Sequence, residues 1–550
     1  MRKLLALFLA TIMAMTLVSA ITVAQADFAG YEPPYDVSEP FEFTIYMNYE
    51  WWQDYNWGGD EISKYWAEKF NMKINFIKAE SSPEDQFLQL LVMGTLPDVI
   101  LMDRGATNID LIRQGVFQDL APFMAVNPTL QNEIAAGTLN LLSVDGALYA
   151  IPHWARKGPT GGNDMWLYNK NVYEAVGSPE LKTFEDLYDF AVAIKEAELT
   201  NAAGAPIIPF MVENRNSAWN KIADSFYRSF GGPNKGDCYT IPINGEIKSV
   251  LRDPTYKDAV MEANKWYREG LMIETQFIDL DDMMIEKFAN GRAGLLYYDH
   301  SQDSVNRFRK IMRETEPGND YIRILDPVYP PKAGVEKTYA DEKGTMGWNV
   351  HGITKDAKNP QRIFDFLCYM LTKEGSIDMM YGPPGVLYDE LDDLGNPILF
   401  KAMSELTAEE NDKVGSWVWS FCNHSDNVDE TKFAVNKMQP EELQDWVEAT
   451  QSDYLTPIMF TTDEFANLQP TIDRLSDLGI ARHRFTEEVW REQLPMIIMA
   501  STAEQASALY DAMLDSFIAL GLEEMEAIYT AKYQENVALQ GFSAYTDYSK

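Results

Sequence analysis

Apolar positions along the chain alternate between short runs of strand length and longer segments with a helical repeat. Phe41 to Met47 reads as a first strand and runs into a polar loop, Asn48 to Trp57, that carries five aromatics. The spacing then predicts a helix around Ile62 to Phe70 and a second strand over Lys73 to Ile77. The next helix is punctuated at both ends. Ser82 is its cap, Pro83 stands in its first turn, Phe87, Leu90 and Leu91 form its buried stripe, and Gly94 stops it. A buried strand, Asp98 to Met102, ends at Asp103-Arg104-Gly105. Strands and helices in this alternation imply a mostly parallel sheet under helical cover. Ligands of such sheets bind beyond the carboxyl ends of the strands, which selects the loops starting at Asn48 and Asp103.

Residues Asp145 to Lys170 mark a change of lobe. A turn leads into a short apolar strand, Ala147 to Ile151, then a Gly/Pro-rich interruption, then a second strand-like run, Met165 to Tyr168. Thr183 can cap the periodic segment Phe184 to Ala197, with Asp186 at its third helical position. His153, Trp154 and Arg156 in the interruption are expected at the border between lobes, where ligand clefts commonly form. A second alternating unit occupies roughly 165 to 298. It has a strand at Pro206 to Val212, a helix around Trp219 to Phe230, and a hairpin near Tyr239 to Leu251 with an Asn244-Gly245 turn. Helices Tyr256 to Glu269 and Asp281 to Asn290 follow, stopped by Gly270 and Gly291, and the strand Ala293 to Tyr298 leads to Asp299-His300. A third segment ends in the strand Gly347 to Ile353. Asn359-Pro360 then caps an amphipathic helix that ends before Gly375. The C-terminal stretch reads as helices with acidic outer faces, broken at Pro495 and Gly521. Lobe crossings are expected near 151, 299 and 352. They assign 41–152 with 299–351 to one lobe and 153–298 with 352–550 to the other.

Composition changes this picture in three places. A chain of 550 residues is too long for one ordinary core. Its net charge of −38 argues against nucleic acid and anionic surfaces as partners, and favours a neutral or cationic ligand. The N-terminus reads as an export signal: Arg2 and Lys3, an apolar run from Leu4 to Val23, and Ala24-Gln25-Ala26 as a cleavage site. An uncleaved anchor is the alternative, since the run is about 20 residues, enough to span a bilayer. Residues 27–40, with Pro33, Pro34 and Pro40, read as an extended tether. The first cysteine is Cys238, so a lipid anchor near the signal is not expected, and Cys238, Cys368 and Cys422 suggest neither a disulfide framework nor a metal motif.

Several segments together resemble the extracellular solute-binding proteins of ABC importers, in the large group that takes up carbohydrates. They are GTLPDVIL, IRQGVFQDLAPFM, DGALYAIPHW with MWLYNKNVYEAVG, FANGRAGLLYY and NPQRIFDFLCYMLTKEGS, in that order. KWYREGLMIE and AIYTAKYQE are most similar to the long, lipoprotein-like subgroup. The resemblance implies a two-lobed α/β fold of the periplasmic-binding-protein kind with type II topology, three crossings, and hinge closure on a ligand. It also implies a carbohydrate ligand, an oligosaccharide by preference, a permease pair as partner, a monomer, and recognition rather than catalysis. No cofactor is expected.

Sugar rings offer flat C–H faces for indoles, and hydroxyls that bond carboxylates, amides and guanidinium groups. The candidate contacts are therefore Trp51, Trp52 and Trp57 in the first loop, Asp103 and Arg104 after the buried strand, and Trp154 and Arg156 at the crossing. Asp299 and His300, Trp348 and His351, and Tyr381 in YGPPGV complete the set. For each tryptophan the competing role is core packing. Trp219, Trp266, Trp417 and Trp490 fall in helix-like runs and read as core. The five histidines form no His-x-x-x-His pair, and phosphate loops and nucleophile elbows are absent from the sequence. A secreted glycoside hydrolase is the enzyme alternative. A glycan-binding surface protein is the other alternative; an adhesion module would call for repeats and β-rich units.

Overall fold

The computed structural model describes residues 37–545, except 53–55, 80–81, 159–161, 214–217, 234–238, 280, 300–301, 341–343, 486–489 and 542. Two sheets anchor two lobes. The first has the order β2-β1-β3-β11-β4, with β1 Phe41–Met47, β2 Met72–Lys78, β3 Val99–Asp103, β4 Ala150–His153 and β11 Asn349–Ile353. β1 pairs in parallel with β2 and β3, as the alternation of strand and helix requires. β11 runs antiparallel to both β3 and β4, so its first residue, Asn349, lies opposite Asp103 and His153. That reversal brings the start of one strand to the carboxyl ends of two others.

The helices are placed by their caps. Ser82 accepts from Asp85 N–H ahead of helix Pro83–Met93, and Gly94, at φ 64°, ends it. Thr183 and Asp186 form a full capping box at helix Phe184–Glu196. Asn359 differs from expectation: it sits in the left-handed region at φ 49° and makes no side-chain cap. The helix it precedes ends at Leu371, and Thr372 caps a second helix, Lys373–Tyr381, across the expected stop. Pro495 is likewise no break, since it lies inside helix Trp490–Ile498; the chain turns instead just before Thr502, which caps Ala503–Ala519.

The second sheet has the order β10-β5-β9-β6, from Tyr321–Arg323, Asp164–Asn169, Ala293–Asp299 and Ile208–Val212. The hairpin β7–β8, Thr240–Ile243 with Glu246–Ser249, turns at Asn244 and Gly245, both with positive φ. The return to the first lobe expected at 299 does not occur there. Helix Gln302–Thr315 buries Val305, Phe308 and Met312 in the second lobe's core, and β10 pairs with β5. The chain regains the first sheet only between 323 and 349. Residues after 352 also depart from the expected assignment. Ile363, Phe366, Tyr369 and Ile377 pack in the first lobe's core with Phe43, Trp66 and Trp417. The passage back comes after helix Ser425–Met438, where Val447, Leu455 and Met459 join the second core. Pairing and burial, rather than strand order in sequence, decide where each lobe begins. Among the described residues no helix is long and apolar enough to cross a membrane.

Candidate functional site

Between the lobes lies a cavity of about 1420 Å³. Its first-lobe wall is built where β11 meets the ends of β3 and β4. Gly347, at φ 68°, makes this approach possible: a Cβ there would fall 1.9 Å from the carbonyl oxygen of His153. The next residue, Trp348, is thereby held against the cavity with 40% of its surface open. Arg104 N–H donates to the Trp348 carbonyl, and Arg104 Nε to that of Gly347, at 2.9 and 3.2 Å. Its Nη1 reaches Asn467 Oδ1 of the facing lobe at 3.4 Å.

Aromatic rings line this wall in a continuous chain. Tyr49 lies 4.9 Å from Trp51 and 5.6 Å from Trp348, and Trp51 lies 6.2 Å from both Trp348 and Trp419. Trp419 then meets Trp154 at 4.9 Å. Trp154 adopts φ 61°, a conformation L side chains seldom take. Behind it His153 stacks at 5.4 Å with the planes 13° apart, and His351 follows at 5.7 Å. Both histidines are fully buried and lean on main-chain carbonyls, His153 on Val418 and His351 on Ser420. Burial pushes the His153 pKa well below the ordinary histidine value and that of His351 down to about 4, so both rings are neutral supports.

Asp103 ends β3 and accepts from the Tyr49 hydroxyl at 2.7 Å. It keeps an open edge, yet the displacement of water around its carboxyl raises its pKa, while Tyr49 and then Arg104 pull the other way.

The second-lobe wall has a different character. Helix Gln302–Thr315 presents Asn306, Arg307, Arg309, Lys310 and Arg313 to the cavity. Arg309 makes two parallel bonds to Asp320, at 2.9 and 2.7 Å, and lies 4.2 Å over the Trp446 ring. Arg323 covers the same ring at 5.0 Å. Arg307 and Lys310 are exposed and have no ion pair or hydrogen bond among the described residues.

The candidates separate accordingly. Arg104, Trp154, Arg156 and Trp348 all line the cavity, and Trp51 touches two of its lining rings. Trp52 is a correction: it is 1% exposed, and its indole N–H donates to Ser420 in the core, because the chain turns inward after Trp51. Trp57 is a second, packed on Trp66 and Trp417 with its N–H on the Met72 carbonyl. His351 backs the site without facing it. Tyr381 is a core residue with an edge at the cavity. Asp299 closes β9 opposite Asp164; its side chain, and all of His300, lie outside the described residues. Trp266 and Trp417 are core as expected, while the side chains of Trp219 and Trp490 are not among those described. Sequence reading missed Trp419, Trp446 and the basic helix. The signal for the last was there: four cationic residues between 307 and 313 in an otherwise acidic chain.

The sequence profile of one family, the bacterial extracellular solute-binding proteins, matches residues 58–377. No curated protein sequence matches the chain. Among solved structures, the S. pneumoniae ABC-transporter substrate binding protein FusA in complex with kestose superposes with a TM-score of 0.64 at 17% identity, over 90% of this chain and 99% of that one. An HMO-binding, ABC-transporter-associated solute-binding protein from Bifidobacterium longum infantis gives 0.63 at 17%, over 92% and 100%. The alginate-binding protein AlgQ2 without calcium ion gives 0.60 at 17%, over 92% and 100%. At these identities the likeness is one of fold.

Proposed function

The chain belongs to the bacterial extracellular solute-binding proteins, and from that premise we propose that it captures a carbohydrate between its lobes for an ABC importer. The observation that carries this reading is the aromatic wall. Trp154, Trp348 and Trp419 face a cavity of about 1420 Å³, larger than most drug-sized sites, and leave ring faces for the C–H surfaces of sugars. A row of rings of this kind suits several sugar units in sequence, so the ligand is an oligosaccharide. Closure needs no more than rotation about the segments that join the lobes.

In this reading the protein is exported, acts as a monomer, and hands its ligand to permease subunits without altering it. Two binding proteins of similar fold, one in complex with kestose and one described as HMO-binding, support the ligand class. Scattering and calorimetry test the proposal together. Saturation with a bound oligosaccharide is expected to give one site per chain and a smaller radius, with the sugar recovered intact. An unchanged radius at saturation, or repeated turnover of the sugar, would overturn it.

A further inference from the structure

The charge of the cavity runs against the charge of the chain. Asp and Glu outnumber Lys and Arg by 84 to 46 over the whole sequence, yet seven Lys or Arg line the cavity against four Asp or Glu. Two of these four acidic residues are also committed. Asp429 accepts from Ser425 and lies 3.5 Å from Lys432, and Asp445 caps helix Trp446–Thr450 and accepts from Asn306. On the basic side, Arg307 and Lys310 stand exposed without partners among the described residues, while Arg313 beside them, 48% exposed, pairs with Asp320 at 3.2 Å. Across the cavity from them stand Arg104 and Arg156.

Clustering like charges on one helix raises its self-repulsion, and solubility does not call for it in a chain already at −38. A cationic cavity set in an anionic surface also focuses potential inward, which attracts anions to the cleft while the rest of the surface repels them. The overall charge, read alone, pointed to a neutral or cationic ligand. The local arrangement reverses that expectation.

We propose that the ligand is an acidic glycan, a sugar chain whose carboxylates or sulfates lie along the Arg307–Arg313 face while its rings stack on Trp154, Trp348 and Trp419. The inference rests on the reading of the cavity as a glycan site and adds the charge class to it. Division of labour between the walls follows: indoles hold ring faces, and guanidinium and ammonium groups set the register of the anionic substituents.

Calorimetry with matched ligands tests it. The panel is short oligomers of galacturonate, glucuronate, and mannuronate or guluronate, each beside its methyl ester, with sulfated and neutral oligosaccharides for comparison. The ester keeps the sugar backbone and removes the charge, adding one methyl group at each carboxyl. At least one acidic oligomer is expected to bind about tenfold or more tightly than its uncharged form, with affinity falling as salt rises toward about 0.2 M. Sulfated against carboxylated arms separate the two sources of charge. The double variant Arg307→Gln/Lys310→Gln is expected to lose about tenfold for the acidic oligomer at an unchanged melting temperature, because both side chains are exposed. Neutral sugars or esters binding as well as the acids, without salt dependence, would overturn the charge assignment and leave the glycan reading standing. An acid that binds the double variant as tightly as the parent would overturn the role of this helix. If no sugar of either kind binds, both readings fall.

Discussion

The two walls of the cleft are made by different means. On the first lobe, rings from four separated segments, at Tyr49 and Trp51, Trp154, Trp348 and Trp419, meet because β11 inserts antiparallel beside β3 and β4. On the second, the charged groups come from one continuous helix, at spacings fixed by its own repeat. The first wall therefore depends on the tertiary fold, and damage to packing behind it reaches the ligand. The second depends on local sequence, and its exposed side chains, Arg307 and Lys310, can be altered singly at little structural cost, unlike the buried Arg309 on Asp320. Stacking on indoles tolerates many sugars, while a row of cations selects among them.

The largest expected effect separates rings that build the first wall from rings that face the ligand. Trp417 is fully buried against Trp66, Phe76 and Phe421, with its N–H on Asp60. Trp417→Ala should cost ~3–5 kcal/mol of stability. Trp348→Ala, at a partly open position, should leave unfolding nearly unchanged and weaken ligand binding by ~1–3 kcal/mol. Denaturant melts beside calorimetry distinguish them. Equal losses of stability in both variants would mean that Trp348 also belongs to the core.

A smaller effect comes from pH, because buried histidines brace the first wall. His351 is neutral when folded, with its pKa near 4, and titrates near the ordinary value of 6.5 when unfolded. As pH falls below 6.5 the unfolded chain takes up the proton first, so stability is lost progressively until the folded pKa is reached. The loss attributable to this residue is on the order of 2 kcal/mol by pH 5. Asp378 opposes it. Burial lifts that carboxyl to about 6, so the folded protein takes its proton first and gains stability over the same interval. Comparing the parent with His351→Gln between pH 7.5 and 5 isolates the histidine. The variant should show a shallower decline; parallel curves would mean that the ring has the same pKa folded and unfolded. The guanidinium groups of the opposite wall stay charged throughout this range.

How much of this was legible in the sequence follows the same division. Caps and stops are local, so Ser82, Gly94, Thr183 and the Asn244-Gly245 turn could be read directly and stand where expected. Lobe boundaries could not. Whether 302–323 returns to the first sheet depends on whether Tyr321 pairs with Asn169, a contact between residues far apart in sequence. Among the tryptophans, Trp51 and Trp52 are neighbours with opposite fates, one half open and one sealed. A polar loop pattern holds no period from which to assign them. Trp419 was hidden for a related reason, since what brings it to the cavity is its packing against Trp51 and Trp154.

The smallest effect tests whether the first wall acts through ring faces alone. Tyr49 joins two rings of the wall and also donates its hydroxyl to Asp103, at 2.7 Å. Tyr49→Phe keeps the ring and removes that bond, which should cost about 1 kcal/mol of stability. The pH at which the cost is felt can be derived. The bond favours the ionised carboxylate, and crowding already holds the Asp103 pKa above its unfolded value of 3.8. Without the hydroxyl the folded pKa rises further, so the folded state retains its proton over a wider interval, and the added penalty grows as pH rises through the folded pKa. Below that the carboxyl is neutral in both folded proteins and the difference between parent and variant should shrink. Affinity for a stacked ligand should change by less than the Trp348→Ala loss, because both rings still contact their neighbours. A loss of affinity in Tyr49→Phe as large as in Trp348→Ala would show instead that the Asp103 carboxylate, held in place by this hydroxyl, is a principal ligand contact.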